Sequence, residues 1–243
     1  SMLRKLSLKF YRCGQPEQLQ ENSSSYAILL SIMRESFVLL GGWLRNVKTY
    51  QKLVDTAPKE NRVFIIPHTF LFKDSNIPAL DKINEIILEK IKEQNLNHIT
   101  LIGQSLGGFW AASFANKYPE HVKKLILVDS EGIPDRRNLL VIVLNWIKDS
   151  ILFHGIAKAK ENTRAVLRLI ENFSYYFRVS RFAISADVRE YAKKIKTPTL
   201  ILWGEKDKVI PIDSAKELKR LIKDSRLVVL DGMDHDWLIH NPQ

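Results

Sequence analysis

A serine between two glycines, in Gly103-Gln104-Ser105-Leu106-Gly107, is the group in this sequence whose type and spacing most directly indicate chemistry. This pattern puts the serine at the apex of a very tight turn between a strand and a helix, where its backbone is strained. The glycines are needed because residues two positions away come close to the serine. The free N–H groups and the dipole of the following helix favour negative charge there. We therefore predict a nucleophilic serine, with the N–H of Leu106 donating to a developing oxyanion.

A serine hydroxyl is a weak nucleophile at neutral pH, so it needs a base that a third group orients. Asp207 follows the apolar run 199–204, and His235 follows Leu230. Both positions lie just past the carboxyl ends of predicted strands, where α/β sheets build their sites. Serine, acid, histidine is the chain order of one triad lineage, which predicts His235 as the base and Asp207 as its partner. Asp129, at the end of an earlier strand, is the alternative acid.

A second oxyanion donor is expected from an earlier loop that contains Gly41 and Gly42, because glycines let the backbone approach a substrate closely. The N–H of Trp43 is the predicted donor, and that of Leu44 is the alternative. None of the other histidines shows metal-ligand spacing with its neighbours, so we expect no metal and no other cofactor. The residues expected to bind the substrate are Gly42, Gln104 and His68.

Strands that alternate with helices must position these groups. Helical spacing is clearest at 79–92, where the isoleucines at 83, 87 and 91 share one face with Leu80. The alternation predicts an α/β fold with a mostly parallel sheet covered by helices on both faces. Apolar runs predict the buried strands at 37–40, 62–67, 99–103, 122–128, 199–204 and 226–230.

The alternation of strands and helices stops after Pro134 and resumes at Thr199. The intervening residues show long helical stretches, clearest at 139–153 and 163–177, and no convincing strand. We expect a helical cap insertion at 135–190 between two parts of one core, residues 1–134 and 191–243. The segment 139–147 is strongly apolar, which indicates either a helix packed on its neighbours or an acyl pocket or lipid-facing lid.

Composition excludes several classes of protein. The net charge of +10 comes from scattered lysines and arginines with no nucleic-acid-binding motif, so we expect a solvated basic surface and no nucleic-acid partner. No segment reaches the roughly 18 uninterrupted apolar residues of a membrane span, which leaves only weak contact with a lipid surface. Cys13 is the only cysteine, which excludes an intrachain disulfide. With no recognisable signal peptide, a cytoplasmic location is expected.

These segments together resemble the α/β-hydrolase superfamily, in its compact cap-bearing branch of esterases and lipases. The resemblance extends from about Phe37 to Pro242. It rests on the Gly-x-Ser-x-Gly turn, the acid loop 203–207, the turn 232–235 and the strand 62–67. The chain departs from the family where Gly41 replaces a histidine, and where residues 68–72 replace a loop with aspartate, proline and glycines.

The resemblance implies hydrolysis of small-molecule carboxylic esters with small to medium acyl chains, through a Ser-His-Asp triad and an acyl-enzyme intermediate. Ser105 argues against the haloalkane-dehalogenase and epoxide-hydrolase relatives, which place an aspartate at this turn. An acyltransferase, a lactonase or a carbon–carbon bond hydrolase with the same triad stays open, as does a non-catalytic receptor of the same fold.

Overall fold

A parallel six-stranded sheet forms the centre of the computed structural model, which describes residues 35–71, 77–134, 167 and 170–242. The strand order across the sheet is β2-β1-β3-β4-β5-β6, and every neighbouring pair is parallel. The predicted α/β fold class is thereby confirmed. The strands are β1 (Ser36–Leu40), β2 (Arg62–Ile66), β3 (Ile99–Gln104), β4 (Val122–Val128), β5 (Thr199–Gly204) and β6 (Ser225–Leu230).

Helices connect the strands. The described α-helices are α1 (Gln51–Thr56), α2 (His68–Leu71), α3 (Leu80–Glu93), α4 (Leu106–Lys117), α5 (Phe173–Ser185), α6 (Arg189–Ala192), α7 (Ile212–Leu221) and α8 (Trp237–His240). Short 3-10 turns at Val47–Tyr50 and Pro119–His121 precede α1 and β4. Helix α4 is buried on every side from Leu106 to Ala115. This burial explains why its sequence is almost entirely apolar rather than amphipathic, with Ser113 paired to Asn84 of α3.

The two faces of the sheet carry separate apolar clusters, because successive side chains of a strand point to opposite faces. Val38 and Leu40 of β1 belong to one cluster, which includes side chains of α3, α4 and α7. Phe37 and Leu39 belong to the other, which includes Leu53 of α1 and side chains of α8. Both faces are therefore covered by helices, as a parallel sheet requires.

The strand order changes direction between β1 and β3, and this change creates the crevice that holds the site. The chain leaves β1 toward β2 on one side and returns to β3 on the other, so the loops after β1 and β3 diverge. The backbone after β1 still passes close to Ser105. A Cβ atom placed on Gly42 would lie 3.1 Å from Cβ of Ser105.

Several predicted features lie outside the described residues, namely the segment 1–34 with Cys13 and the helical stretch 139–153 with its apolar segment 139–147. Within the expected insertion, the described residues form α5 and α6, and α5 continues to Ser185 because Tyr176, Val179 and Ala183 are buried along one face. The boundaries at 134 and 190 stay a prediction. In the described parts of the chain, no helix has the length and apolar character that crossing a membrane requires.

Two glycines of the turn at Ser105 lie where no side chain fits. A Cβ atom at Gly103 would lie 2.6 Å from the carbonyl oxygen of Gly107 and from Cα of Gly108. A Cβ atom at Gly107 would lie 2.0 Å from the carbonyl oxygen of Leu40 in β1. The start of α4 therefore packs directly against the backbone of the sheet.

We expect the substitution Gly107→Ala to lower the free energy of unfolding by about 3 kcal/mol, because the clash is with backbone and no rotamer change relieves it. Gly232→Ala is the control. Its φ is +69°, and the nearest atom to an added Cβ is Nζ of Lys206 at 4.0 Å, so it tests backbone strain without a clash. That strain costs about 1 kcal/mol. Chemical denaturation measures both variants, and equal losses would contradict the packing argument.

Candidate active site

Ser105 lies in a strained turn that several backbone hydrogen bonds hold in place. Its φ of 52° and ψ of −125° lie in a region that residues with side chains rarely adopt. Its N–H donates to the carbonyl of Val128 at 3.0 Å, and its carbonyl accepts from the N–H groups of Gly108 at 2.8 Å and Glu131 at 2.9 Å. The ends of β3 and β4 and the start of α4 therefore jointly determine where the hydroxyl points.

The structure brings together the serine, histidine and aspartate that the sequence singles out. Nε2 of His235 lies 3.1 Å from Oγ of Ser105, and Nδ1 lies 2.8 Å from Oδ2 of Asp207. Because a carboxylate only accepts, Nδ1 carries the hydrogen and Nε2 is left to accept from the hydroxyl. The other oxygen of Asp207 accepts from the N–H groups of Val209 at 2.7 Å and Ile210 at 2.8 Å.

Asp129, the alternative acid, has a different position. It is fully buried, and Oδ1 accepts from the N–H of Gly204 at 2.8 Å. Its Oδ2 accepts from Nε1 of Trp237 at 2.7 Å. Asp129 thus joins the end of β5 to α8, the helix that follows His235, whereas Asp207 is the aspartate that contacts the imidazole.

Negative charges surround the imidazole of His235. Burial lowers the pKa of His235, but the charge and hydrogen bond of Asp207, followed by the charges of Asp236 and Asp129, outweigh burial and hold this pKa well above its ordinary value. Burial, with the nearby charge of Asp207, also raises the pKa of Asp129 well above its usual range. The site therefore stabilises an imidazolium, which is the state that forms when a base takes the proton of a serine.

Asp129, Asp207 and His235 form a cluster whose polar atoms lie within 4.8 Å of one another. Across the described ranges this is the single group of three or more such side chains at that spacing. Each of its carboxylate oxygens and ring nitrogens already has a hydrogen-bond partner in the protein. Asp207 and His235 thus form a hydrogen-bonded relay to Ser105, while Asp129 is bonded separately to Gly204 and Trp237.

The predicted oxyanion donors are the backbone N–H groups of Leu106 and Trp43. Leu106 is the first residue of α4, so its N–H has no partner within the helix. Trp43 follows Gly42, whose backbone lies beside Ser105. Gly42, Trp43 and Leu106 all line the cleft at the serine. Both predicted donors therefore belong to residues at the cleft, and their role as an oxyanion hole stays a prediction.

Gln104 also lines the cleft, but Tyr50 holds its side chain. The hydroxyl of Tyr50 donates to Oε1 of Gln104 at 2.6 Å and accepts from the N–H of Gly42 at 3.0 Å. The N–H of Gly42 is therefore not directed at an oxyanion. Sequence analysis missed Tyr50, since it lies in an ordinary helical turn with no motif around it.

His68 is predicted to bind the substrate, and the structure places it elsewhere. It is 1% exposed and is not among the described residues that line the cleft. Its Nδ1 lies 3.2 Å from the carbonyl oxygen of Gly42, and its ring stacks on that of Tyr175 in α5. The loop after β2 leads directly into α2. The ring of His68 in α2 therefore contacts the backbone of the loop after β1 rather than the cleft.

An open cleft of about 640 Å³ leads to Ser105. Its walls combine apolar side chains with an ion pair between Arg45 and Asp236, which links the loop after β1 to the residue after His235. No local pattern identifies this pair, because 191 positions separate its members. The described residues lining the cleft are Gly42, Trp43, Arg45, Gln104, Ser105, Leu106, Glu131, Ser180, Ala183, Ile184, Val209, His235 and Asp236.

The charge of Asp207 leads to a pH-dependent prediction. Reaction of Ser105 with a fluorophosphonate needs a neutral imidazole, so its rate rises as pH increases through the raised pKa of His235. In Asp207→Asn this pKa falls, so the inflection moves to lower pH, and the plateau rate drops on the order of 10⁴-fold. Asp213→Asn, the same change at an exposed aspartate of α7, is the control and leaves the profile unchanged. An inflection unmoved in Asp207→Asn would count against this electrostatic assignment.

Comparison with known proteins finds similar hydrolases. The family model described as serine aminopeptidase, S33, matches residues 79–242. The chain is similar to lipase 1 of Psychrobacter immobilis, with 25% identity over 241 residues that cover 86% of this chain and 74% of that protein. It is also similar to the pimeloyl-[acyl-carrier protein] methyl ester esterase of Wigglesworthia glossinidia brevipalpis, with 28% identity over 189 residues, or 68% and 71% of the two chains.

Solved structures show the same fold. MGS-MChE2, an α/β hydrolase enzyme from the metagenome of lagoon sediments at Mar Chica, Morocco, aligns with a TM-score of 0.67 and 22% identity over 86% of each chain. A membrane phospholipase A, a bacterial virulence factor, aligns with a TM-score of 0.69 and 21% identity over 86% of this chain and 75% of its own. With a family model that spans most of the chain and the fold in common, this protein belongs to the serine aminopeptidase S33 family of α/β hydrolases.

Proposed function

We propose that this protein hydrolyses carboxylic esters with small to medium acyl chains, with Ser105 as the nucleophile. One observation carries the proposal, the continuous hydrogen-bonded chain from Oγ of Ser105 through His235 to Asp207. The serine end of this hydrogen-bonded series lies at the cleft, beside the first turn of a buried helix. Nucleophile, base and orienting acid within hydrogen-bond distance are the requirements of serine-based acyl transfer.

In the proposed acylation step, Oγ of Ser105 attacks the ester carbonyl while its proton passes to Nε2 of His235. The carbonyl oxygen becomes an oxyanion that the N–H groups of Leu106 and Trp43 stabilise. Asp207 stabilises the imidazolium through Nδ1. When the tetrahedral intermediate collapses, the bond to the alcohol oxygen breaks, and that oxygen takes the proton from Nε2. The products are the free alcohol and an acyl group bound to Ser105.

Deacylation repeats the same chemistry with water. His235 takes a proton from a water molecule, whose oxygen attacks the acyl carbonyl, and the oxyanion forms again between the same two donors. Collapse breaks the bond to Oγ, and the proton on Nε2 returns to Ser105. The acid is released, and the triad regains its starting state.

The walls of the cleft favour an uncharged acyl group. Trp43, Ala183, Ile184 and Val209 present apolar surface to the cleft, and apolar walls of this kind are typical of small-molecule sites. Similarity to proteins named as a lipase and a methyl ester esterase supports the same chemistry. Simple ester hydrolysis also places the smallest demand on this machinery, since water is the second substrate.

A series of p-nitrophenyl esters of increasing acyl length tests the proposal. We expect hydrolysis by the wild type, with an optimum at a small or medium chain, and a loss of kcat on the order of 10⁴-fold or more in Ser105→Ala. Ser185→Ala is the matched control and keeps full activity, because this hydroxyl lies on the exposed side of α5. The chain-length optimum then measures the depth of the acyl site.

Two results would overturn this proposal. One is a folded wild type that hydrolyses none of the esters and is not labelled at Ser105 by a fluorophosphonate, which would favour a binding role. The other is preferential hydrolysis of aminoacyl p-nitroanilides, the reaction that the name of the family model describes. Product analysis with added alcohol or thiol acceptors separates hydrolysis from acyl transfer.

A further inference from the structure

The peptide group between Gly42 and Trp43 has two ends with different partners. Its N–H belongs to Trp43, a residue that lines the cleft at Ser105, and its carbonyl belongs to Gly42. The described residues contain no cis peptide bond, so the C=O and the N–H of this group point in opposite directions. Any group that holds the carbonyl therefore also determines the direction of the N–H.

Two donors hold that carbonyl, the N–H of Arg45 at 3.3 Å and the ring of His68. Nδ1 of His68 lies 3.2 Å from the oxygen of Gly42, and because a carbonyl only accepts, Nδ1 must carry the hydrogen. The neutral ring provides this donor, and burial lowers the pKa of His68 to about 4, which keeps the ring neutral at physiological pH. A donor at the oxygen of a peptide group also polarises its N–H, so the bond that the N–H makes becomes stronger.

The neighbouring atoms leave this peptide little freedom. The N–H of Gly42 donates to the hydroxyl of Tyr50, so the peptide group before it is held as well. The ring of His68 lies 6.2 Å from that of Tyr175, with an angle of 18° between their planes, and meets Tyr176 edge-on. Two aromatic side chains of helix α5 therefore pack against the ring of the histidine.

We propose that His68 is a positioning residue for the oxyanion hole. It holds the Gly42 carbonyl so that the N–H of Trp43 points at the oxyanion that forms on the substrate. The hydrogen bond from this N–H to the oxyanion becomes stronger as a result. This inference rests on the proposed function. It assigns His68 a role in stabilising the transition state rather than in binding the ground state of the substrate.

Two substitutions at His68 separate the donor from the ring. His68→Phe keeps an aromatic ring against Tyr175 but removes the Nδ1–H. His68→Asn places an amide N–H the same number of bonds from the backbone as Nδ1, without the ring. Phe70→Ala, two positions along α2 at a side chain that is 49% exposed, controls for disturbance of this short helix.

We expect His68→Phe to lower kcat for the best p-nitrophenyl ester about 10- to 100-fold, with KM changed less than about threefold. This loss is smaller than the 10²–10³-fold that removal of a whole donor causes, because the N–H of Trp43 is still present. His68→Asn recovers most of the lost kcat, and Phe70→Ala matches the wild type. A merely structural role for the ring would produce the reverse order, with Phe active and Asn impaired.

A boronic acid gives an independent readout, because it forms a tetrahedral adduct on Ser105 whose oxygen occupies the oxyanion hole. We expect its Ki to rise about 10-fold or more in His68→Phe and to return toward the wild-type value in His68→Asn. Equal kcat and Ki in wild type and His68→Phe would overturn the inference while leaving ester hydrolysis intact. A wild type that binds the boronic acid but cleaves no ester would overturn the proposed function, and the Ki values would still test His68.

Discussion

The close approach of helix α4 to the backbone of β1 is the constraint on which the site depends. The carbonyl oxygen of Leu40 lies where a side chain at Gly107 would begin, so only glycine lets the helix start this near the sheet. This contact forces the sharp turn at Ser105 and aims the first N–H groups of α4 at the hydroxyl. The backbone strain at Ser105, of order 1–3 kcal/mol, is offset by the burial of α4 on every side.

The base depends on a balance between burial and negative charge. A buried imidazole surrounded only by apolar groups would have a lowered pKa and would not hold a proton during the reaction. Asp207 reverses this effect at His235, and two backbone N–H groups hold the other oxygen of Asp207 in place. Asp129 has a separate role, since its two hydrogen bonds join the loop ends that carry the acid and the histidine.

The loop after β1, residues 41–46, has no regular secondary structure, yet several side chains hold it in place. The hydroxyl of Tyr50 accepts from the N–H of Gly42 in this loop, and Nδ1 of His68 contacts the Gly42 carbonyl. The ion pair between Arg45 and Asp236 joins the loop to that of His235. Leu44 has a φ of 60°, a conformation that needs such support in a residue with a side chain. Because neighbouring contacts restrict the conformation of such a loop, it can fix the direction of a backbone N–H as well as a helix can.

Local patterns in the sequence predict the strands, the helices and the nucleophile, because periodicity and glycine spacing report directly on backbone conformation. They also place Asp207 and His235 at strand ends, and the order of the strands then carries these residues to one edge of the sheet. Chain order predicts Asp207 as the acid, with Asp129 as the alternative, since both follow buried strands. The tertiary structure distinguishes them, because only the paths of the two loops set which carboxylate reaches the imidazole.

The supporting contacts of the site were beyond prediction from the sequence for a related reason. His68 is predicted at the substrate and instead contacts the loop after β1, because the direction of α2 turns its ring away from the cleft. Tyr50 and the pair of Arg45 with Asp236 carry no local signal at all. The sequence by itself determined which residues can do chemistry, since that follows from residue type and short-range spacing. Only the tertiary structure decided which side chains hold them in position, since those contacts join segments that are far apart in the chain.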